Sequence, residues 1–183
     1  DHPAISDVIN CLNQWDRKAN TDSKGATIFA VIYYYVVDKL ISGDKSYNIL
    51  SKEKCIEVLT YTKEYLDKYF GTVTISLGDY QKLVRGDKNI PLWGLPDVIA
   101  SMESTPYKNG MVKGRQGESY IELVQFSKNG PVIESIHSYG SSNKPGNKHY
   151  DDQMEMFGQQ QLKPMSLDKK TVYKNAAVIY HPK

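Results

Sequence analysis

Between Lys24 and Asp38 lies the longest apolar run of the chain, residues 26–37, and few arrangements accommodate such a segment. About 20 apolar residues are needed to cross a bilayer, so this run is too short for a membrane anchor and is expected to be buried inside protein. Its apolar side chains point nearly all round. The pattern therefore predicts a central helix over residues 26–41 with neighbours on most sides, although the β-branched content leaves a strand reading open.

A central helix needs partners, and the flanking segments have the spacing to supply two. Pro3 suits a first helical position, after which Ile5, Val8, Ile9, Leu12 and Trp15 recur at helical intervals. Ser51 is placed to cap a third helix. Its stripe is Cys55, Val58, Leu59, Thr62, Tyr65, Leu66 and Tyr69, and Gly71 ends it. Residues 1–70 thus read as a helical subregion and 71–183 as a mainly β region.

Past Gly71 the texture changes to short extended pieces separated by turn chemistry. Asn109-Gly110 and Asn129-Gly130 are strong hairpin signals, because both residue types tolerate positive φ. Residues 119–127 and 132–139 read as the arms of one hairpin. In the first arm Tyr120, Val124 and Phe126 share one face while Ile121 and Leu123 share the other, so the strand is expected inside a layered structure with cover on both sides. Residues 140–147 form a loop by composition. Asp151 or Asp152 is expected to cap a short helix to about Gln161, Ser166 another to about Asn175, and residues 176–180 to form a last strand. The fold class is α+β, helices first and then a mainly antiparallel sheet with two late helices.

Composition narrows the function classes. The 23 basic and 21 acidic residues leave a net charge of +2, and they are scattered, which argues against a nucleic-acid partner. The 14 tyrosines bury a large apolar body behind a polar tip, so they suit packed seams and interfaces. Two cysteines, Cys11 and Cys55, are too few for a disulfide framework and are expected to be buried free thiols. The numbering opens at Asp1 without Met, and no signal-peptide pattern precedes the first element, so targeting is expected either upstream or not at all.

One stretch is more specific. It runs His137-Ser138-Tyr139-Gly140-Ser141-Ser142, then Lys148-His149-Tyr150-Asp151-Asp152-Gln153-Met154-Glu155-Met156-Phe157, then Leu162-Lys163-Pro164-Met165. This resembles the penicillin acylase (penicillin amidase) family near the C-terminus of its β subunit, where a Gly-Ser loop, a His-Tyr-x-Asp-Gln step and a helix lead to a Pro-containing turn. Further likeness follows in order along the chain. Leu12, Trp15-Asp16, Asp22-Ser23, Ala26 and Phe29 resemble the family's helical segment. Gly78-Asp79, Arg85-Gly86-Asp87, Pro91-Leu92 and Gly94-Leu95-Pro96-Asp97 resemble the passage after it, and Gly117-Glu118-Ser119-Tyr120 the start of a sheet strand. The branch it looks nearest is that of the aculeacin and acyl-homoserine-lactone acylases.

The resemblance implies the C-terminal fragment of an αββα sandwich of the N-terminal nucleophile hydrolases, with the upstream part of the same precursor (α subunit and N-terminal part of the β subunit) as its partner and a small acyl amide as substrate. In such enzymes a self-cleaved precursor frees a Ser whose own α-amino group, with a pKa near ~8, is the general base. Asp1 has no such chemistry, and the family's oxyanion-hole groups lie upstream of the matched region, so no catalytic residue is carried onto this chain. The family also implies a periplasmic or secreted location and no required cofactor; calcium occurs in some members, with no dense acidic loop here to hold it.

Local alternatives are weaker. His137, His149, Asp151 and Asp152 lack zinc spacing, and Ser138, Ser141 and Ser142 lack the strand-turn-helix setting of a Gly-x-Ser-x-Gly nucleophile. His149, Tyr150, Asp151, Asp152 and Gln153 therefore read as a structural motif, an acidic cap with packed entry residues. A non-catalytic interaction module built from the same elements is the alternative to the acylase reading.

Overall fold

The computed structural model describes residues 2–40 and 51–180. It has an α+β architecture of helices followed by two small, mostly antiparallel sheets, divided into compact units Asp1–Gly117 and Glu118–Lys183.

The first unit begins with a 3-10 turn at Pro3–Ile5 that runs into helix α1 (Ser6–Asn13). Helix α2 (Lys24–Tyr35) is capped by Ser23, whose Oγ accepts from the Ala26 amide at 3.2 Å. The apolar run is thus a helix, as its all-round pattern predicts. Gly25, Ala26, Thr27, Ile28, Ala30 and Val31 are buried, whereas the second half is only half-buried, and a π-helical turn follows at Val36–Leu40. Residue 41, where the predicted helix ends, lies outside the described residues. Helix α3 (Lys52–Phe70) has the predicted Ser51 cap, with the Lys54 amide 3.3 Å from Oγ, and ends at Gly71 in the left-handed conformation, φ 68°.

Val58, Thr62 and Leu66 of the α3 stripe are buried. Cys55 is not: it sits in the exposed first turn, which overhangs the core, while Cys11 is half-buried against it. The expectation of two buried thiols therefore fails at Cys55. Val8, Ala26, Ile28, Ala30, Val31, Leu66, Leu77 and Tyr80 pack into one core, so the helices bury their stripes against one another and against the following turn.

A short helix α4 (Leu77–Tyr80), unanticipated from the sequence, leads into β1 (Gln81–Arg85) and β2 (Lys88–Pro91), paired antiparallel across the Gly86-Asp87 turn. Strands β3 (Met102–Pro106) and β4 (Val112–Gly117) pair antiparallel across the predicted Asn109-Gly110 turn, where both residues have positive φ (56° and 74°). A short parallel ladder between β1 and β4 completes the order β2-β1-β4-β3.

The fully buried side chain of Gln81 locks this sheet. Its Nε2 donates to the carbonyls of Leu92, Trp93 and Gly94 at 3.3, 3.4 and 2.9 Å, and its Oε1 accepts from Ser104 Oγ at 2.9 Å. The same passage is tied to the helices, since Leu77, Gly78 and Gly94 amides donate to the carbonyls of Ser23, Thr21 and Ala19.

The second unit is a three-stranded antiparallel sheet, β5 (Tyr120–Gln125), β6 (Val132–His137) and β7 (Lys163–Met165), in the order β5-β6-β7. The hairpin falls where the Asn129-Gly130 signal places it. The middle strand buries Ile133, Ser135 and Ile136, and helix α5 (Met154–Gly158) adds the buried Met154 and Phe157.

Four expectations fail here. Asp151 and Asp152 do not cap α5; Gln153 holds the cap position without a side-chain bond. Helix α6 (Lys169–Asn175) is capped by Asp168, whose Oδ2 accepts from the Thr171 amide at 2.8 Å, while Ser166 only accepts from the Asp168 amide. The third strand is the Lys163–Met165 segment expected to be a turn, and residues 176–180 form no strand and are exposed. Among the described residues no helix is long and apolar enough to cross a membrane.

Replacing Gln81 with Leu leaves three carbonyls and the Ser104 hydroxyl short of a buried partner. We expect a loss of about 2–4 kcal/mol in urea unfolding, whereas Ser104→Ala, which removes one bond, costs about 1 kcal/mol.

Candidate functional site

The motif singled out in the sequence is a loop-to-helix junction in the second unit. Gly140 is central to it. A Cβ there would stand 2.6 Å from Asp152 Oδ1 and closer still to the His149 carbonyl oxygen, so only glycine lets the two strands of the loop meet. Beside it the Ser142 amide donates to the His149 carbonyl at 3.0 Å.

The side chains then divide by role. His149 Nδ1 lies 2.6 Å from Asp152 Oδ2, an exposed pair that fixes the ring, and the His149 amide donates to Asn147 Oδ1 at 2.9 Å. The Tyr150 amide donates to the Asn147 carbonyl, and the Asp151 carbonyl accepts from the Met154 amide. Gln153 is buried and bridges the helix to the sheet: its amide donates to the Tyr139 carbonyl at 2.8 Å, and its Oε1 accepts from the His137 amide at 3.1 Å. The imidazole of His137 lies against the Tyr120 ring, centroids 5.0 Å apart.

The bonds of this junction mostly tie backbone segments together. A His–Asp pair becomes a general-base device when the second ring nitrogen meets a hydroxyl or thiol. Among the described residues no hydroxyl bonds that nitrogen of His149. Among the same residues no group of three His, Cys, Asp or Glu side chains converges to hold a metal. The residue sequence reasoning undervalued is Gln153, since an amide carries no periodicity or spacing signal that separates a buried bridge from a surface side chain.

Two concave features of the first unit are lined by described residues. One, of about 290 Å³, lies beside Cys11, Trp15 and Lys24, where the Trp15 indole donates to the Lys18 carbonyl at 2.8 Å and Gly25 makes room for the ring. The other, of about 520 Å³, is walled by Tyr34, Tyr35, Tyr61, Tyr65 and Tyr80 with Val112. Its rings are close, with 4.3 Å between the centroids of Tyr35 and Tyr61 and 5.9 Å between those of Tyr61 and Tyr65. Burial pushes the Tyr65 phenol up to about 12 and holds that of Tyr80 well above the usual range, so both stay protonated at neutral pH. The surplus of tyrosine in the composition is this seam, but which of the 14 converge was not readable from their positions.

The class of protein to which this mixed α+β chain belongs is given by comparison with known proteins. A family model described as penicillin amidase matches residues 2–174, and the chain belongs to that family. Among curated proteins it is similar to "Acyl-homoserine lactone acylase PvdQ" of Pseudomonas fluorescens (strain Pf0-1), 23% identical over 180 residues that cover 86% of this chain and 23% of that protein. The protein of the same name from Pseudomonas syringae pv. syringae (strain B728a) is 31% identical over 87 residues, 46% of this chain and 11% of that one. The chain thus spans under a quarter of the length of the curated relatives it matches.

Two substitutions separate the roles within the junction. Gly140→Ala forces the His149 backbone away and is expected to cost about 1–3 kcal/mol. Asp152→Asn loosens only an exposed pair and is expected to cost less than about 1 kcal/mol; thermal unfolding of both variants checks the contrast.

Proposed function

We propose that this chain is the C-terminal structural segment of an amidohydrolase that cleaves an acyl amide with an N-terminal Ser supplied elsewhere in the same gene product. On this reading the late strands complete the sheets of an αββα sandwich and the N-terminal helices pack against the rest of the enzyme, so the two sequence regions 1–70 and 71–183 act together as one piece of a larger acylase. The substrate is a small acyl amide, the location periplasmic or secreted, and no step uses a metal or cofactor on this chain. Neither His149 nor Asp152 is a catalytic residue in this account.

The observation that carries the reading, beside family membership, is the state of β5. It is the edge of its sheet, yet Leu123 is 58% and the adjoining Phe126 86% exposed, with Val124 and Val132 exposed as well. The sequence pattern calls for cover on both faces, and among the described residues only Ile121 of β5 is half-buried. A flat apolar edge left in water is an aggregation site, so such a strand makes sense only where a larger sheet takes it in.

Expression of the full-length gene product tests this. It is expected to cleave itself and then release chromophore from acyl p-nitroanilides, with His149→Ala retaining turnover within about twofold, while the 183-residue chain alone turns over none. Complete self-cleavage without hydrolysis of any acyl amide, or turnover by the 183-residue chain, would contradict the proposal. Phe126→Asp is expected to impair assembly of the processed enzyme, read as lost soluble yield and lost activity together.

A further inference from the structure

The tyrosine-walled cleft of the first unit has a feature that packing alone does not account for. Tyr80 is only 2% exposed, and among the described residues its hydroxyl has no hydrogen-bond partner. No sealed, unsatisfied side-chain oxygen occurs among those residues either, so the Tyr80 hydroxyl opens into the cleft it lines.

Three of its neighbours are already engaged. Tyr34 oxygen accepts from the Ser104 amide at 2.7 Å, Tyr65 donates to the Gly110 carbonyl at 2.7 Å, and Tyr35 donates to Glu57 Oε1 at 2.8 Å. These bonds hold three of the rings as walls, and the Tyr80 hydroxyl faces a mainly aromatic and aliphatic space whose other polar lining groups include Tyr61 and Asp38. A cleft of about 520 Å³ lies within the roughly 300–1,000 Å³ typical of small-molecule sites, where a few placed polar groups orient a mainly apolar ligand.

We propose that this cleft binds a small uncharged carbonyl compound with an aromatic or short alkyl arm, its oxygen accepting a hydrogen bond from the Tyr80 hydroxyl and its arm lying among Tyr35, Tyr61 and Val112. A protonated phenol is a donor to a carbonyl. A carboxylate is the poorer fit, because the charged side chain among the described lining residues is Asp38 and Glu57 stands behind Tyr35. The proposal stands independently of the acylase reading.

The test is binding of three molecules of matched shape to the full-length protein, measured by ligand-observed NMR: acetophenone, ethylbenzene, and 1-phenylethylamine, which is cationic at neutral pH. Acetophenone is expected to bind about fivefold more tightly than ethylbenzene, the worth of one neutral hydrogen bond. Its carbonyl stretch should move to lower frequency when bound. Tyr80→Phe keeps the ring and removes no bond among the described residues, so it should fold normally, erase the affinity gap and restore the free carbonyl frequency. Tyr61→Ala removes a wall and should weaken both neutral probes several-fold. Absence of binding, equal affinity for acetophenone and ethylbenzene, tightest binding of the amine, or a gap that survives Tyr80→Phe would each overturn the proposal.

Discussion

One buried amide organises the first unit. Gln81 stands where the chain passes from α4 into β1, and its two ends are used differently: the nitrogen gathers three successive carbonyls of residues 92–94, and the oxygen takes the Ser104 hydroxyl from β3. A buried polar side chain is tolerable only when every partner is met, and once met it admits few alternatives. Residues 92–94 are in turn bonded to Ala19, and α4 to Thr21 and Ser23, so the loop before α2 is held against the sheet. This is why helices and four-stranded sheet form one compact unit ending at Gly117.

The second unit uses the same device on a smaller scale. Gln153 links α5 to the end of β6, and Gly140 allows the loop to close over it. What differs is the balance of cover. Helix α5 brings the buried Phe157 and Met154 to this unit, whereas β5 is exposed apart from the half-buried Ile121. The curated relatives of this family are more than four times as long as the matched stretch, and the proposal that a larger sheet takes in this exposed apolar strand rests on that difference and on the exposure itself.

Much of this was legible in the sequence because the signals were local. Ser23 and Ser51 cap helices, Gly71 ends one, and the two Asn-Gly pairs turn hairpins, each through chemistry confined to a few residues. The failures share the opposite cause. Asp152 had the composition of a cap, but the His149 ring 2.6 Å away claimed its carboxylate; Lys163–Met165 looked like a turn around Pro164, yet pairing with β6 makes it a strand in which Pro164 sits at the sheet edge. Cys55 followed the stripe but lies on a turn beyond the core. Tertiary competition decided each, and periodicity does not record it. The family resemblance was readable because loop glycines and the Gln153 junction are unusual, specific residues; the tyrosine cleft was not, since its walls come from separate parts of the first unit.

The central claim is that β5 is an interior strand of a larger sheet in the whole protein. Hydrogen–deuterium exchange of the full-length gene product measures this directly. The account predicts slow exchange at every amide from Tyr120 to Gln125, including the alternate ones that do not bond β6, at rates matching those of β6 itself. Exchange of those outward amides at the rate of open loops, in a folded and processed protein, would contradict it.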